Sequence, residues 1–212
     1  MSDARNLVVI GEAPLATLAA AIGVAERGTQ RVRVVELPPE RIAEDGLESL
    51  AGESPDDTDV FAAIGPAALN FARFDLWAKL RFKGYRCATL VHPRAFVDSS
   101  AVLAENVLIG PGAVIEPGAK LGRGTIVGSA AVIGAGCGIS PWCWLGSRAV
   151  VGAGAEVGPH SVIGGGVHLA DKTVFPGPGE IGIAGSYHGT FQAGTFIASE
   201  FPVPGARLVV TG

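Results

Sequence analysis

The stretch VLIGPGAVIEPGAKLGRGTIVGSAAVI, residues 107–133, decides the fold. Its residues Ile109, Ile115, Leu121, Val127 and Ile133 stand six apart, and the register extends on both sides. Val97 and Leu103 precede it; Ile139, Leu145, Val151, Val157, Ile163, Leu169, Phe175 and Ile181 follow. Two positions before each stands a small or β-branched residue, from Ala95 and Ala101 through Cys137 and Cys143 to Thr173 and Gly179. A period of six fits neither the 3.6 of a helix nor the alternation of a plain strand. It is the signature of a solenoid in which each hexad is one short strand and a turn. Three hexads close a triangular coil, so residues eighteen apart stack, Ile115 under Ile133 under Val151. Residues 95–180 hold hexads for about five coils. Their aliphatic residues fill the interior, small residues fit the corners, and Gly serves where a turn needs positive φ. A single coil has no core, so stability comes from stacking and the ends need caps.

Composition narrows the function classes. Of 212 residues, 48% are hydrophobic and 31 are Gly, with no collagen period. A formal charge of -4 leaves no basic stripe to displace counterions, which argues against a general nucleic-acid binder. Three cysteines indicate no disulfide framework. No basic segment followed by an apolar one opens the chain, so no signal peptide is expected and the predicted location is cytoplasmic. Residues 124–147 carry no charge and could pass for a membrane span. Their hexad register, with Gly, Ser and Pro at the turns, predicts solenoid instead.

Charge divides the chain near residue 90. The first 90 residues carry most of the Asp, Glu, Lys and Arg, and there the pattern is one of alternating strands and helices. The predicted boundaries are 1–91, 92–184 and 185–212. Leu7–Ile10 reads as a strand ending at Gly11, and Pro14–Glu26 as a helix with Pro near its start. Arg31–Glu36 is a second strand. Glu44–Asp59, rich in acids and free of bases, reads as a solvated helix and loop. Val60–Ile64 is a third strand, Gly65 and Pro66 open a helix reaching Lys83, and Cys87–Val91 is a fourth strand. The order predicts a small parallel sheet of Rossmann-like hand. NAD is not expected: the first turn, Gly11-Glu12-Ala13-Pro14, has one Gly where the dinucleotide fingerprint needs three, and Glu12 would repel a pyrophosphate.

The order of parts, a Rossmann-like unit, then His92-Pro93-Arg94-Ala95, then unbroken hexads, resembles the sialic-acid O-acetyltransferase-like sugar acyltransferases. Ala63-Ile64-Gly65, Leu69-Asn70, Arg73 and Lys83-Gly84-Tyr85 match the pattern of that family's first domain, and the resemblance covers about residues 5–184. It implies a left-handed parallel β-helix and a homotrimer. It also implies transfer of an acyl group from acetyl-CoA or another acyl-CoA to an amine or hydroxyl of a nucleotide-linked sugar, without metal or membrane span. Gly11, Gly65, Asn70 and Arg73 then match the sugar-nucleotide loops, and Gly164, Gly165 and Gly166 the turn along the pantetheine arm. The family's general base, a His, falls on Ala135, and the usual Gly-x-Pro-Ala-Lys ending has only an echo in Pro204-Gly205-Ala206-Arg207. Weakened acyl transfer, with amine acceptors favoured, is one expectation; a catalytically silent binding or scaffold protein is the other.

Other residues could take over the base. His160 lies in a turn after Val157, and His168, preceding Leu169, should point outward; both are candidates should a neighbouring subunit bring them to a groove. His92 is expected to be structural and His188 to belong to the tail. Cys137 and Cys143 occupy small inward positions and read as buried thiols rather than nucleophiles or zinc ligands. Trp144 should face outward, and with Trp142 it is expected to cover a subunit interface or fill a groove. Phe191–Ser199 and Ala206–Thr211 have strand composition, and Tyr187, Phe191, Phe196 and Phe201 could cap the last coil.

Overall fold

The computed structural model describes residues 5–199 and 206–207. Strand β1 (Asn6–Gly11) is apolar and buried from Leu7 to Ile10 because it lies inside a sheet covered on both faces. It pairs in parallel with β2 (Val32–Glu36) and β3 (Thr58–Ala63), and β4 (Arg86–Cys87) extends the sheet beyond β3. The order is β2-β1-β3-β4. Alternate side chains choose alternate faces. Leu7, Val9, Phe61 and Ala63 pack with Leu15, Ala16, Ala19 and Ile22 of helix α1 (Leu15–Arg27). Val8, Ile10, Val60 and Ala62 pack with Ile42 of α2 (Pro39–Glu48) and Leu76 and Leu80 of α3 (Phe71–Phe82).

Three expectations change here. Asp59, read as part of a solvated loop, is buried in β3, where Arg5 (2.6 Å) and Arg27 (2.9 Å) pair with its carboxylate. The helix expected from Gly65 begins only at Phe71. Before it, Ala68, Leu69 and Asn70 all have positive φ, a turn no regular helix can include. The fourth strand is two strands: Arg86–Cys87 stays with the sheet, whereas Leu90–Val91, β5, pairs with Leu108–Ile109 of the solenoid.

The solenoid has three faces. The first stacks Leu90–Val91, Leu108–Ile109, Ile126–Val127, Trp144–Leu145, Ser161–Ile163, Gly179–Ile181 and Thr195–Ile197 in parallel, with Ala206–Arg207 added antiparallel. The second runs from Phe96–Val97 to Gly185–Tyr187 through six strands, the third from Val102–Leu103 to Val174–Phe175 through five. Among the described residues this makes about six turns rather than five. The hexad register, taken from Val97 to Ile181, omits Val91 and Tyr187, which stand in the same six-residue phase and form the end coils. Ile109, Ile115, Leu121, Val127, Ile133 and their successors form one continuous core with Cys137 and Cys143. At the open end Phe191 packs edge-on against Phe175, ring centroids 5.6 Å apart. Glu200–Gly205 and Leu208–Gly212, with Phe201, Pro204 and Gly205, lie outside the described residues.

From Asn106 to Lys172 every sixth residue is left-handed, with φ between +55° and +72°. Half of these positions are not Gly, and each such residue costs about 1–2 kcal/mol relative to ordinary backbone. Three of the non-Gly residues, Asn106, Trp142 and His160, lie with Gly124 on one column, eighteen apart, and contact the sheet unit. Asn106 Oδ1 accepts from Ala62 N (2.9 Å), so the side chain takes the place of a strand where β4 has stopped at Cys87. Trp142, 5% exposed, lies over Gly124 and meets Phe74 (5.5 Å) and Trp77 (5.2 Å) of α3. This corner is where the sheet unit docks on the solenoid. Trp142 therefore belongs to an intramolecular contact, not to the subunit interface or groove expected of it.

Candidate functional site

Parallel strands leave a crevice beyond their carboxyl ends. Here the ends of β1 and β3 open towards the first face of the solenoid, and a cleft of about 560 Å³ lies between them. Glu12 to Leu15 and Gly65–Pro66 form one wall; Gly128, Ser129, Trp144 and Ser147 form the other, over a floor that includes Leu108 and Ile126. Trp144 faces outward as its position before Leu145 requires, and it faces this cleft.

The two strand ends touch. Glu12 N donates to Ala63 O (3.0 Å), and a Cβ on Gly11 would stand 1.9 Å from that oxygen, so only Gly fits there. Gly65 N donates to Glu12 Oε1 (2.9 Å). The carboxylate is thus held at the rim by the backbone of the opposite loop. No Lys, Arg or His lines the cleft among the described residues, and no ion pair to Glu12 occurs among them.

Asn70 and Arg73 lie behind Gly65, both fully buried. Arg73 Nε donates to Gly124 O (2.8 Å), Nη2 to Asn70 Oδ1 (2.6 Å), and Nη1 to Ile64 O and to Gly65 O (3.3 Å). Burial pushes the guanidinium down to about 9, still cationic at neutral pH, and carbonyl oxygens rather than a carboxylate surround it. The left-handed turn at Leu69 is held from the solenoid side, where the His160 ring nitrogen Nδ1 lies 3.0 Å from Leu69 O and the ring stacks on Phe71 at 4.0 Å. Gly65, Asn70 and Arg73 therefore form one connected unit. The last two act on the cleft through the loop they hold.

The corner after each first-face strand forms a column: Gly128-Ser129, Gly146-Ser147, Gly164-Gly165. Gly166 N donates to Ser147 O (3.1 Å), and a Cβ on Gly165 would meet only that oxygen, at 3.3 Å. The Gly164–Gly166 turn is thus one coil above the cleft wall, with open space over Gly165. Ala135 lies at the next corner, after the second face; its N–H is taken by Glu116 Oε2 (2.9 Å). His168 is exposed on the second face with Ser186 Oγ 3.5 Å away, and His160 sits at the docking corner. The structure brings Gly11, Gly65 and Gly164–Gly166 around one region and brings neither histidine to it. Glu12, visible in the sequence only as an acid in the first turn, lines the cleft, and so does Trp144, for which a groove was one of the two places expected. Among the described residues no group of His, Cys, Asp or Glu could hold a metal ion.

Comparison with known proteins follows the same outline. The sequence family described as the GMPPB C-terminal domain matches residues 86–177, which take in β4 of the sheet and then the solenoid from β5 onward. No curated protein matches. Among solved structures, a mutant of perosamine N-acetyltransferase from Caulobacter crescentus, in complex with CoA and GDP-perosamine, is 21% identical with a TM-score of 0.76. The alignment covers 90% of this chain and 92% of that one. The acetyltransferase domain of PglB from Neisseria gonorrhoeae FA1090 is 21% identical over 96% of this chain and 100% of its own, TM-score 0.72. WeeI from Acinetobacter baumannii AYE is 14% identical over 96% and 99%, TM-score 0.60. At these identities the likeness is one of fold, and it extends over both the sheet unit and the solenoid.

Proposed function

We propose that this chain is an acyl-CoA-dependent acyltransferase acting on a nucleotide-linked sugar, of the sialic-acid O-acetyltransferase-like kind. Its Rossmann-like unit would hold the sugar nucleotide, and its left-handed β-helix the acyl-CoA. The observation that carries the reading is the first-face corner column. It sets the Glu12 and Gly65 loops beside Ser129 and Ser147, one coil from the open Gly164–Gly166 turn. A perosamine N-acetyltransferase of the same outline has been seen with CoA and GDP-perosamine, which supports the same pair of ligands here.

When bound, acyl-CoA supplies the activated acyl group. The chain's own part is to hold the acceptor in the cleft, keep water out with the Leu108 and Ile126 floor, and align the acceptor with the glycine turn. With Ala135 at the family's base position, a general-base contribution of about 100- to 10,000-fold is missing. A sugar amine, partly neutral near pH 7, tolerates that loss better than a hydroxyl, because positioning alone still accelerates its reaction. Position 135, His160 and His168 all lie outside the cleft, and each could serve only if another subunit carried it there. A homotrimer is part of the proposal, supported by the outward column Phe96, Val114, Val132 and Val150 on the second face, where Phe96 is 58% exposed.

The test is acetyl transfer from acetyl-CoA to nucleotide-linked amino sugars, followed by product mass, in the wild type and in Ala135→His. Slow transfer that rises at least tenfold with the histidine supports the reading. The second reading, a silent binding or scaffold protein, draws on Ala135 itself; binding of the sugar nucleotide without transfer by either protein would establish it.

A further inference from the structure

The cleft combines features that do not suit a phosphate. It is floored by aliphatic side chains, flanked by the indole of Trp144 and the hydroxyl-bearing Ser129 and Ser147, and carries a carboxylate with no cation beside it among the described residues. Glu12 is not a loose surface acid. Its Oε1 accepts from Gly65 N at 2.9 Å, and the Gly65 loop is itself fixed by the buried Arg73. One oxygen is therefore committed to the backbone, and Glu12 is held at the rim of the cleft with no cationic partner. A carboxylate at the rim of a mostly apolar recess favours a positive group, because the apolar wall screens the pair less than open water would. The indole face of Trp144 would favour the same charge. A diphosphate in the same place would face repulsion and no donor side chain stronger than a serine.

We propose that Glu12 is a specificity-determining residue that selects, at the binding step, a ligand bearing a protonated amine over its hydroxyl counterpart, with the ligand's phosphates lying outside this cleft. The ammonium gives up its proton to solvent before it can attack an acyl group, so Glu12 acts on binding and not on the transfer step. The inference rests on the nucleotide-sugar reading above and gives it a residue for the choice between amine and hydroxyl. It differs from a role for Glu12 in loop structure alone. In Glu12→Gln the amide oxygen can still accept from Gly65 N while the charge is gone, so a structural role would leave binding unmoved.

The experiment is isothermal titration of the full chain with two pairs of probes, GDP-perosamine against GDP-D-rhamnose and UDP-glucosamine against UDP-glucose, for the wild type and Glu12→Gln. In at least one pair the wild type is expected to bind the amino sugar about ten- to a hundredfold more tightly, as a charge-assisted hydrogen bond allows. Glu12→Gln should abolish that preference with little change for the hydroxyl sugar. The preference should also fade as pH rises above the amine's pKa. Equal binding of both members of each pair, unchanged in Glu12→Gln, overturns this inference and leaves the nucleotide-sugar reading standing. A preference that persists in Glu12→Gln overturns the assignment to Glu12. Binding of none of the four probes overturns the nucleotide-sugar reading, and this inference with it.

Discussion

Burial pushes the Cys143 thiol up to about 12, does the same for Cys87, and raises Cys137. Sγ of Cys137 lies 2.9 Å from Gly152 O and Sγ of Cys143 3.2 Å from Gly158 O, both inside the prism. The six-residue spacing that put these cysteines at small inward positions was enough to read them as inert, since the inward phase of each hexad is set by its aliphatic neighbour. Their reactivity follows from the sign of the shift. A free thiol gains thiolate steeply between pH 8 and 9, whereas one raised towards 12 stays almost wholly protonated. Iodoacetamide should therefore leave all three cysteines of the native protein unmodified at pH 8 and at pH 9, and label them within minutes in denaturant. Labelling of the native protein at the rate of a free cysteine would contradict the burial described.

At the scale of elements, the corners differ in what they can bear. Gly124 and Gly136 have nearly the same backbone, φ +69° and +67°. A Cβ on Gly124 would stand 2.1 Å from the Trp142 ring, whereas one on Gly136 would meet nothing within 4 Å. Gly136→Ala should cost only the conformational term, about 1–2 kcal/mol. Gly124→Ala adds overpacking against the docked indole, for a total of about 2–5 kcal/mol. Urea denaturation of the two variants reads the difference directly, and equal losses would mean that the docking corner is not tightly packed. The hexads were legible because their period repeats many times in one register. The docking corner was not, because it depends on pairings between residues far apart in sequence: Asn106 with Ala62, Trp142 with Trp77, His160 with Leu69. The split of the fourth strand was hidden for a related reason. Leu90–Val91 has the composition of either a sheet strand or a first coil, and only its partner, Leu108–Ile109, decides. At the site, Gly65, Asn70 and Arg73 could be picked out as a group only through the family resemblance of the first domain. That the latter two are buried behind the loop, and that Glu12 is the acid presented to the cleft, required the fold.

For the whole molecule, the second face of the solenoid carries an outer column of exposed Phe96 and half-buried Val114, Val132 and Val150, while Leu108, Ile126 and Trp144 of the first face pack against the sheet unit. The trimer proposed above, if built on the second face, would bury that column. Sedimentation equilibrium should give three chains per particle for the wild type, and Val132→Asp, which puts a charge at the middle of the column, should shift it to one; a monomeric wild type would remove the trimer from the proposal. The central claim is that one molecule binds both an acyl-CoA and a sugar nucleotide. Any ligand that binds the native state alone must raise the melting temperature, by about 2.7 kcal/mol of stability at a hundred times its Kd. The first measurement is therefore the melting temperature of the full chain with acetyl-CoA, with a nucleotide-linked amino sugar, and with both. Stabilisation by each ligand separately is the predicted result. No shift with acetyl-CoA, at concentrations where the sugar nucleotide does stabilise, would contradict the acyltransferase account.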